Sequence, residues 1–314
     1  MGLTIGVDVG GTKIAAGVVD DTGAVLTTDK VGTPAADPTA VQQAIAALIT
    51  TLATQHPVEA VGIGAAGFVD AARDTVLFAP NLAWRNVALR AAVADACGLP
   101  VVVENDANAA AWGEYRFGAG AGVDDLLCVT VGTGIGGGIV TGGRLYRGTF
   151  GVAAEVGHLR VIPDGRRCVC GNRGCWEQYA SGRALVAEAQ EVLRSGSLRA
   201  ARLAELAGGD PVALTGPMVT AAAMEGDELS LDLLEELGSW LGQGVASLVA
   251  VLDPGLVVVG GGVSEAGDLL AEPARQALLR HLTARRHRPV VELRLAALGN
   301  TAGLIGAADL ARQR

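Results

Sequence analysis

Residues 129–135 read V-T-V-G-T-G-I, and residues 7–13 read V-D-V-G-G-T-K. Each is an apolar strand that breaks into a Gly/Thr tip and returns as strand, which predicts a β-hairpin rather than a strand entering a helix. The recurrence marks an internal repeat of two related α/β halves, each offering a glycine tip whose backbone amides can nest a phosphate. The residues concerned are Gly10, Gly11, Thr12 and Lys13 in one tip and Thr133 and Gly134 in the other. Asp8 interrupts the first strand just before its tip. A carboxylate there holds a phosphate-bound Mg²⁺, directly or through water, or it is merely the polar end of an ordinary hairpin. Gly132, Gly134 and Gly137 also satisfy G-x-G-x-x-G, with Glu155 at about the ribose-binding distance of 20 residues. That dinucleotide reading needs a helix after the glycines, and Ile139-Val140 reads as strand instead.

Outward from the tips, strands and helices alternate. Asp37-Pro38 opens a helix in cap-then-first-position order, with Val41, Ile45, Leu48, Ile49 and Leu52 as its buried stripe. Residues 61–67 form a strand running into Gly67, and residues 87–97 a helix closed by Gly98. The apolar run 101–103 is a buried strand ending at Asn105-Asp106, followed by an alanine-rich helix up to Gly118. Polar residues at the carboxyl end of a parallel strand stand where open α/β sheets bind ligands. Asp106 is placed like a catalytic carboxylate that the helix N-terminus keeps ionised, and equally like a helix N-cap; one residue can do both. Further on, Ser181 caps a helix over 182–194, residues 208–217 read as loop, and residues 229–252 as a long amphipathic helix. A strand over 256–259 runs into Gly260-Gly261-Gly262. This third glycine junction either lies flat against an adenine or ribose or is one more tight turn. A strand over 290–295 and a helix over 302–311 follow.

Residues 155–177, E-V-G-H-L-R-V-I-P-D-G-R-R-C-V-C-G-N-R-G-C-W-E, gather His158, Cys168, Cys170 and Cys175 between two carboxylates, Glu155 and Glu177. One imidazole and three thiolates suit a tetrahedral zinc ion. The spacing C-x-C-x₄-C is not the usual zinc ribbon, and a disulfide or unbound thiols are the alternatives; a disulfide ranks below zinc in a chain that reads as cytoplasmic. If one ring nitrogen of His158 binds the metal, the other is left to hydrogen-bond in a binding cleft. Paired carboxylates and an imidazole suit a polyol, whose hydroxyls both donate and accept. Two solvated glutamates beside a structural knot would look the same.

The 314 residues are 50% hydrophobic and carry a net charge of −9, a globular composition that argues against a nucleic-acid surface. The basic run Arg285-Arg286-His287-Arg288 is short and reads as a solvated loop. No apolar run is long enough to span a membrane, and no secretory signal precedes the first strand, so the expected location is cytoplasmic.

These motifs together resemble the ROK family of sugar kinases and repressors. The matching stretches are D-V-G-G-T-K at 8–13, E-N-D-A-N at 104–108, V-G-T-G-I-G-G-G at 131–138, E-V-G-H at 155–158, C-V-C-G-N-R-G-C-W-E at 168–177 and V-V-G-G-G at 258–262. The resemblance implies an α/β, actin-like or hexokinase-type fold with two α/β domains around a cleft and the zinc knot in the larger. The expected division is 1–106 plus 299–314 for the small domain and 107–298 for the large. It implies zinc on His158, Cys168, Cys170 and Cys175, and a sugar on Gly67, Asn105, Asp106, Glu155, His158 and Glu177. Mg-ATP is expected on Asp8, Gly10, Gly11, Thr12, Lys13, Thr133, Gly134, Gly261 and Gly262. Asp106 matches the family's catalytic base. The implied reaction is phosphorylation of glucose at its 6-hydroxyl by ATP, in a homodimer or homotetramer. A kinase for N-acetylmannosamine, fructose or mannose is the nearest alternative. A sugar-sensing repressor carries a helix-turn-helix ahead of the first tip, where this chain begins its hairpin at residue 3, and an ATPase without a sugar acceptor leaves Asn105, Asp106 and the 155–177 stretch without a role.

Overall fold

The computed structural model describes residues 2–313. The first pass of the chain runs β1 (Leu3–Val9), β2 (Lys13–Val19), β3 (Val25–Gly32), α1 (Pro38–Gln55), β4 (Val58–Ala65), β5 (Phe68–Val69), β6 (Val76–Phe78), β7 (Arg85–Val87), α2 (Leu89–Cys97), β8 (Val101–Asn105) and α3 (Asp106–Phe117). The second runs β9 (Leu126–Val131), β10 (Ile135–Thr141), β11 (Arg144–Leu145), α4 (Glu177–Ala180), α5 (Gly182–Arg194), α6 (Ala201–Leu206), α7 (Gly216–Met224), α8 (Glu228–Leu252), β12 (Leu256–Gly260), α9 (Asp268–His281), β13 (Glu292–Leu295) and α10 (Ala302–Arg312).

The repeat is visible in the sheets. One has the order β3-β2-β1-β4-β8 and the other β11-β10-β9-β12-β13, the same arrangement of first, second, third, fourth and fifth strand. β1 pairs antiparallel with β2 and parallel with β4, which sets Asp8 opposite Ala15 on one side and Gly64 on the other. β4 and β8 are parallel, as are β12 and β13. Central parallel strands are covered on both faces, and this is why β4, β8 and β12 read as nearly unbroken apolar runs.

Contacts divide the chain into two compact units. The first comprises Met1–Cys128, Gly137–Ala154 and Ala297–Arg314; the second comprises Val129–Gly136 and Glu155–Ala296. Residues 107–128 and 137–154 thus cluster with the first unit, beyond the boundary read at 106. In that unit α1 buries its expected stripe against Ile5, Val7, Ile14 and Ile63. On the opposite face α10 lies directly on the sheet. A Cβ on Gly6 would overlap the Leu304 carbonyl, and one on Gly62 the Ala307 carbonyl. α3 meets α10 the same way, since a Cβ on Gly306 would overlap the Ala109 carbonyl. Asp309 of α10 then accepts the indole N–H of Trp112 at 2.8 Å and Nε of Arg116 at 3.1 Å. In the second unit α8 crosses α9 at Gly242, where a Cβ would run into the Ala274 carbonyl.

Several local expectations change. The helix expected from residue 87 begins at Leu89, because Arg85 and Val87 pair with Phe78 and Val76 in a three-stranded ribbon. The loop expected over 208–217 is a short 3₁₀ turn at Pro211–Ala213, then α7 from Gly216 with Pro217 in its first turn. There Gly and Pro start a helix rather than interrupt one.

Adding a methyl where α10 touches β4 has a defined cost. Gly62→Ala is expected to lower stability by about 3 kcal/mol, the upper range for overpacking. Urea unfolding checks it, with Gly32→Ala as a control in open space that changes stability by about 0.5 kcal/mol or less.

Candidate active site

In the first unit the site is built where β8 gives way to α3. Asn105, not Asp106, caps the helix: its Oδ1 accepts the Asn108 N–H at 3.0 Å. Its Nδ2 donates to the Gly67 carbonyl at 3.1 Å, which ties Gly67 to the strand end. Asp106 occupies the first helical position, and its Oδ1 accepts the N–H of Ala107 at 2.9 Å. The capping explanation for an aspartate at 106 is thereby removed.

The expectation that the helix end keeps Asp106 ionised also changes. Burial, then the neighbouring Asp8 carboxylate, push its carboxyl up to about 7, against the opposing pull of the Ala107 N–H. Asp8 is itself raised by burial, with Lys13 opposing. Gly303 near the start of α10 lies beside both residues, a Cβ on it being 3.8 Å from the Asp8 carboxyl carbon and 3.9 Å from the backbone carbonyl oxygen of Asp106. Two carboxylates crowded in a poorly solvated pocket repel, so one holds its proton near neutrality or a cation joins them.

Beneath this pair lies a residue the sequence reading passed over. Glu104 is buried at the end of β8. Its Oε1 accepts the Asn105 N–H and Asn108 Nδ2, each at 3.1 Å, and its Oε2 accepts Arg147 Nε at 2.6 Å. The available signal was a glutamate following three buried valines in the quoted E-N-D-A-N stretch.

The two glycine tips are built alike. In the first, the Gly10 N–H donates to Lys13 O at 3.0 Å, and Thr33 braces the tip with its hydroxyl on Gly10 O and its N–H on Thr12 O. In the second, the Gly132 N–H donates to Gly134 O at 2.9 Å, and Gly132 O accepts the N–H of Gly182 at the start of α5. Gly134 is glycine for a reason the sequence did not show: a Cβ there would run into Glu177 Oε2. Gly261 has φ +87° and a Cβ on it would lie 2.5 Å from Val131 O, so its neighbouring strand demands glycine; Gly262 faces open space.

The residues expected to hold a metal come together in the second unit. The ligand atoms of His158, Cys168, Cys170 and Cys175 all lie within 4.8 Å of one another. Cys170 and Cys175 sulfurs are 3.6 Å apart, as are the Cys168 sulfur and His158 Nδ1. A disulfide needs about 2.05 Å, whereas tetrahedral zinc places its sulfurs about 3.8 Å apart and sulfur and nitrogen about 3.6 Å apart. Burial and the neighbouring sulfurs push the Cys175 thiol up to about 12, and a bound cation would offset this by favouring its thiolate. The donor set therefore fits a metal such as zinc. Gly171 and Gly174, at φ +93° and +73°, turn the backbone between the cysteines. With Nδ1 turned to the sulfurs, His158 Nε2 lies 4.0 Å from Glu155 Oε2.

Glu177 closes this stretch. It is buried, with Oε2 accepting the Ile135 N–H at 3.2 Å and Oε1 paired with Arg183 at 3.1 Å. Glu155, His158 and Glu177 belong to the second unit, and Gly67, Asn105 and Asp106 to the first.

A doubled α/β sheet with glycine-tipped hairpins, a strand-end Asn-Asp pair and a His-Cys₃ knot defines a protein of the sugar-kinase fold. The chain belongs to the ROK family, whose model matches residues 4–314. It is 53% identical over 313 residues to a glucokinase of Streptomyces coelicolor, covering 100% of this chain and 98% of the relative. Its fold matches a ROK family glucokinase from Streptomyces griseus, solved with glucose and AMPPNP, with a TM-score of 0.94, 54% identity and full coverage of both chains. An N-acetylmannosamine kinase of Escherichia fergusonii is 35% identical over 98% of each chain.

The raised Asp106 predicts a pH-dependent stability. Its folded-state value of about 7 lies above that of the unfolded chain, so wild type loses stability relative to Asp106→Asn progressively as pH rises from about 4 to about 7. Urea unfolding is expected to show the two alike near pH 4 and the variant about 1–3 kcal/mol more stable at pH 8. Metal removal gives a second expectation: Cys168→Ser loses bound metal, read by elemental analysis, and melts below wild type.

Proposed function

We propose that the chain is an ATP-dependent glucokinase, transferring the γ-phosphoryl group to the 6-hydroxyl of glucose to give glucose 6-phosphate and ADP. The observation that carries this reading is a carboxyl at the end of β8 held near neutrality, in a chain with full-length likeness to a glucokinase solved with glucose and an ATP analogue. Phosphoryl transfer is mostly positioning and charge neutralisation, and one residue must orient the nucleophile. Asp106 accepts the proton of the 6-hydroxyl as attack on phosphorus develops. A base whose proton leaves near pH 7 is matched to that work better than an ordinary carboxylate.

Asn105, held by Gly67 and by its own cap, fixes neighbouring hydroxyls, and Glu155, His158 and Glu177 bind the rest of the ring. The nucleotide phosphates lie along the tips at 10–13 and 133–134, with Gly261 and Gly262 beside the adenosine. Mg²⁺ bound with ATP would offset the phosphate charge and relieve the repulsion between Asp8 and Asp106; Asp8 is the residue to hold it. Zinc on His158, Cys168, Cys170 and Cys175 would fix the His158 tautomer and present Nε2 with its proton toward Glu155 and the sugar. The same reading places the protein in the cytoplasm as a homodimer or homotetramer. A kinase for N-acetylmannosamine is the second reading, favoured by the 35% identity to such an enzyme.

ADP release with Mg-ATP across a panel of hexoses and amino sugars tests the proposal. Glucose is expected to lead. Turnover confined to N-acetylated sugars overturns the choice of substrate, and ADP release without sugar overturns the kinase. Asp106→Asn is expected to lower kcat by about 10²–10⁴-fold while glucose binding by calorimetry changes little. In wild type kcat/KM for glucose should rise with pH through about 7, as Asp106 loses its proton.

A further inference from the structure

We propose that Glu177 clamps the second glycine tip and that Arg183, acting through Glu177, is a positioning residue for the nucleotide phosphates. The inference rests on the kinase reading above and adds to Glu177 a role distinct from its contact with sugar.

The carboxylate is divided between two tasks within the second unit. Oε2 accepts the N–H of Ile135, the first residue of β10, and lies so close over Gly134 that no side chain fits. Oε1 takes Arg183 Nη2 at 3.1 Å and, at a longer 3.4 Å, the Gln178 side-chain Nε2. A carboxylate buried with a single backbone N–H would be costly to desolvate, and the guanidinium offsets that. Arg183 is otherwise misplaced. It is the second residue of α5, where the helix end favours anions over cations. The helix does not need it as a cap, because Ser181 Oγ accepts the Ala184 N–H at 3.2 Å. Pairing with Glu177 accounts for its position.

Glu177 is itself held from behind. It follows the metal-knot residue Cys175 by two positions, and the intervening Trp176 is fully buried with its indole N–H on Trp240 O at 2.8 Å. The start of α5 thus grips the tip at both ends: the Gly182 N–H holds Gly132 O at 2.8 Å, and Arg183 holds Ile135 through Glu177. Between those two points lie Thr133 and Gly134, anchored on both sides, and a phosphate cradle requires a backbone held in place in this way.

A double-mutant cycle tests this. Mg-ADP dissociation constants are measured by calorimetry without sugar for wild type, Arg183→Ala, Glu177→Gln and the pair. Arg183→Ala is expected to weaken Mg-ADP about five- to tenfold in the wild-type background and by less than about twofold beside Glu177→Gln. Arg183→Lys should recover part of the loss, and bound metal should remain at wild-type level. Equal losses in both backgrounds would mean that Arg183 meets the nucleotide itself, and no loss would mean that the tip is set without it; either overturns the proposal. Should the alanine variant not fold, Arg183→Met, which keeps the bulk of the side chain but offers Glu177 no donor, takes its place in the cycle. Amide exchange at Ile135 gives a readout independent of the kinase reading. If wild type fails to bind Mg-ADP, that reading falls, while faster exchange in the Arg183 variant still supports the clamp and unchanged exchange removes it.

Discussion

The constraint on which the first unit depends is the approach of backbone to backbone beneath α10. Where Gly6, Gly62 and Gly306 lack side chains, carbonyl oxygens of one element rest against Cα atoms of another. That closeness is what puts Gly303 beside both Asp8 and Asp106. A helix held off the sheet by ordinary side chains would leave the two carboxylates in wider, wetter surroundings. The charge state of Asp106 therefore follows from a packing distance set by residues that carry no chemistry of their own.

Crowding two acids in this way works against folding. The pair is least comfortable above neutral pH, where both carboxyls are ionised, and the helix end that could have soothed Asp106 is outweighed by burial. Asn105 takes over the duties of the cap, so Asp106 is released from a structural role it would otherwise share. The buried Glu104–Arg147 pair then anchors the strand end from below. Stability is given up at one residue and recovered at its neighbours.

Much of this was legible in the sequence because the signals were local. Glycine tips after apolar strands, Asp37-Pro38, the stripe from Val41 to Leu52, and Ser181 all act within a few residues of themselves. The residues expected to hold a metal were legible because their chemistry is narrow, and they do come together. What was lost was pairwise and distant. Gly134 looks like a phosphate-loop glycine, but its closest constraint is a carboxylate 43 positions later. Gly261 looks like an adenine platform, but a strand beginning at Leu126 requires it. Whether Asp106 or Asn105 caps α3 depends on one turn of φ and ψ that two adjacent good caps cannot reveal. Val87 joined a ribbon rather than the helix that follows it because its partner is Val76.

The chain passes between the two units four times, after residues 128, 136, 154 and 296. Neither unit is a continuous stretch, and the order of synthesis matters for that reason. While β1, β4 and β8 are already outside the ribosome, the groove over Gly6 and Gly62 stays uncovered until α10 emerges. The stretch from Glu155 to Ala296 can assemble its helices and metal knot in the meantime. The strands carrying Gly6 and Gly62 are thus covered by a helix that leaves the ribosome long after them, and until it does the Asp8 and Asp106 carboxylates stay in water and ionised.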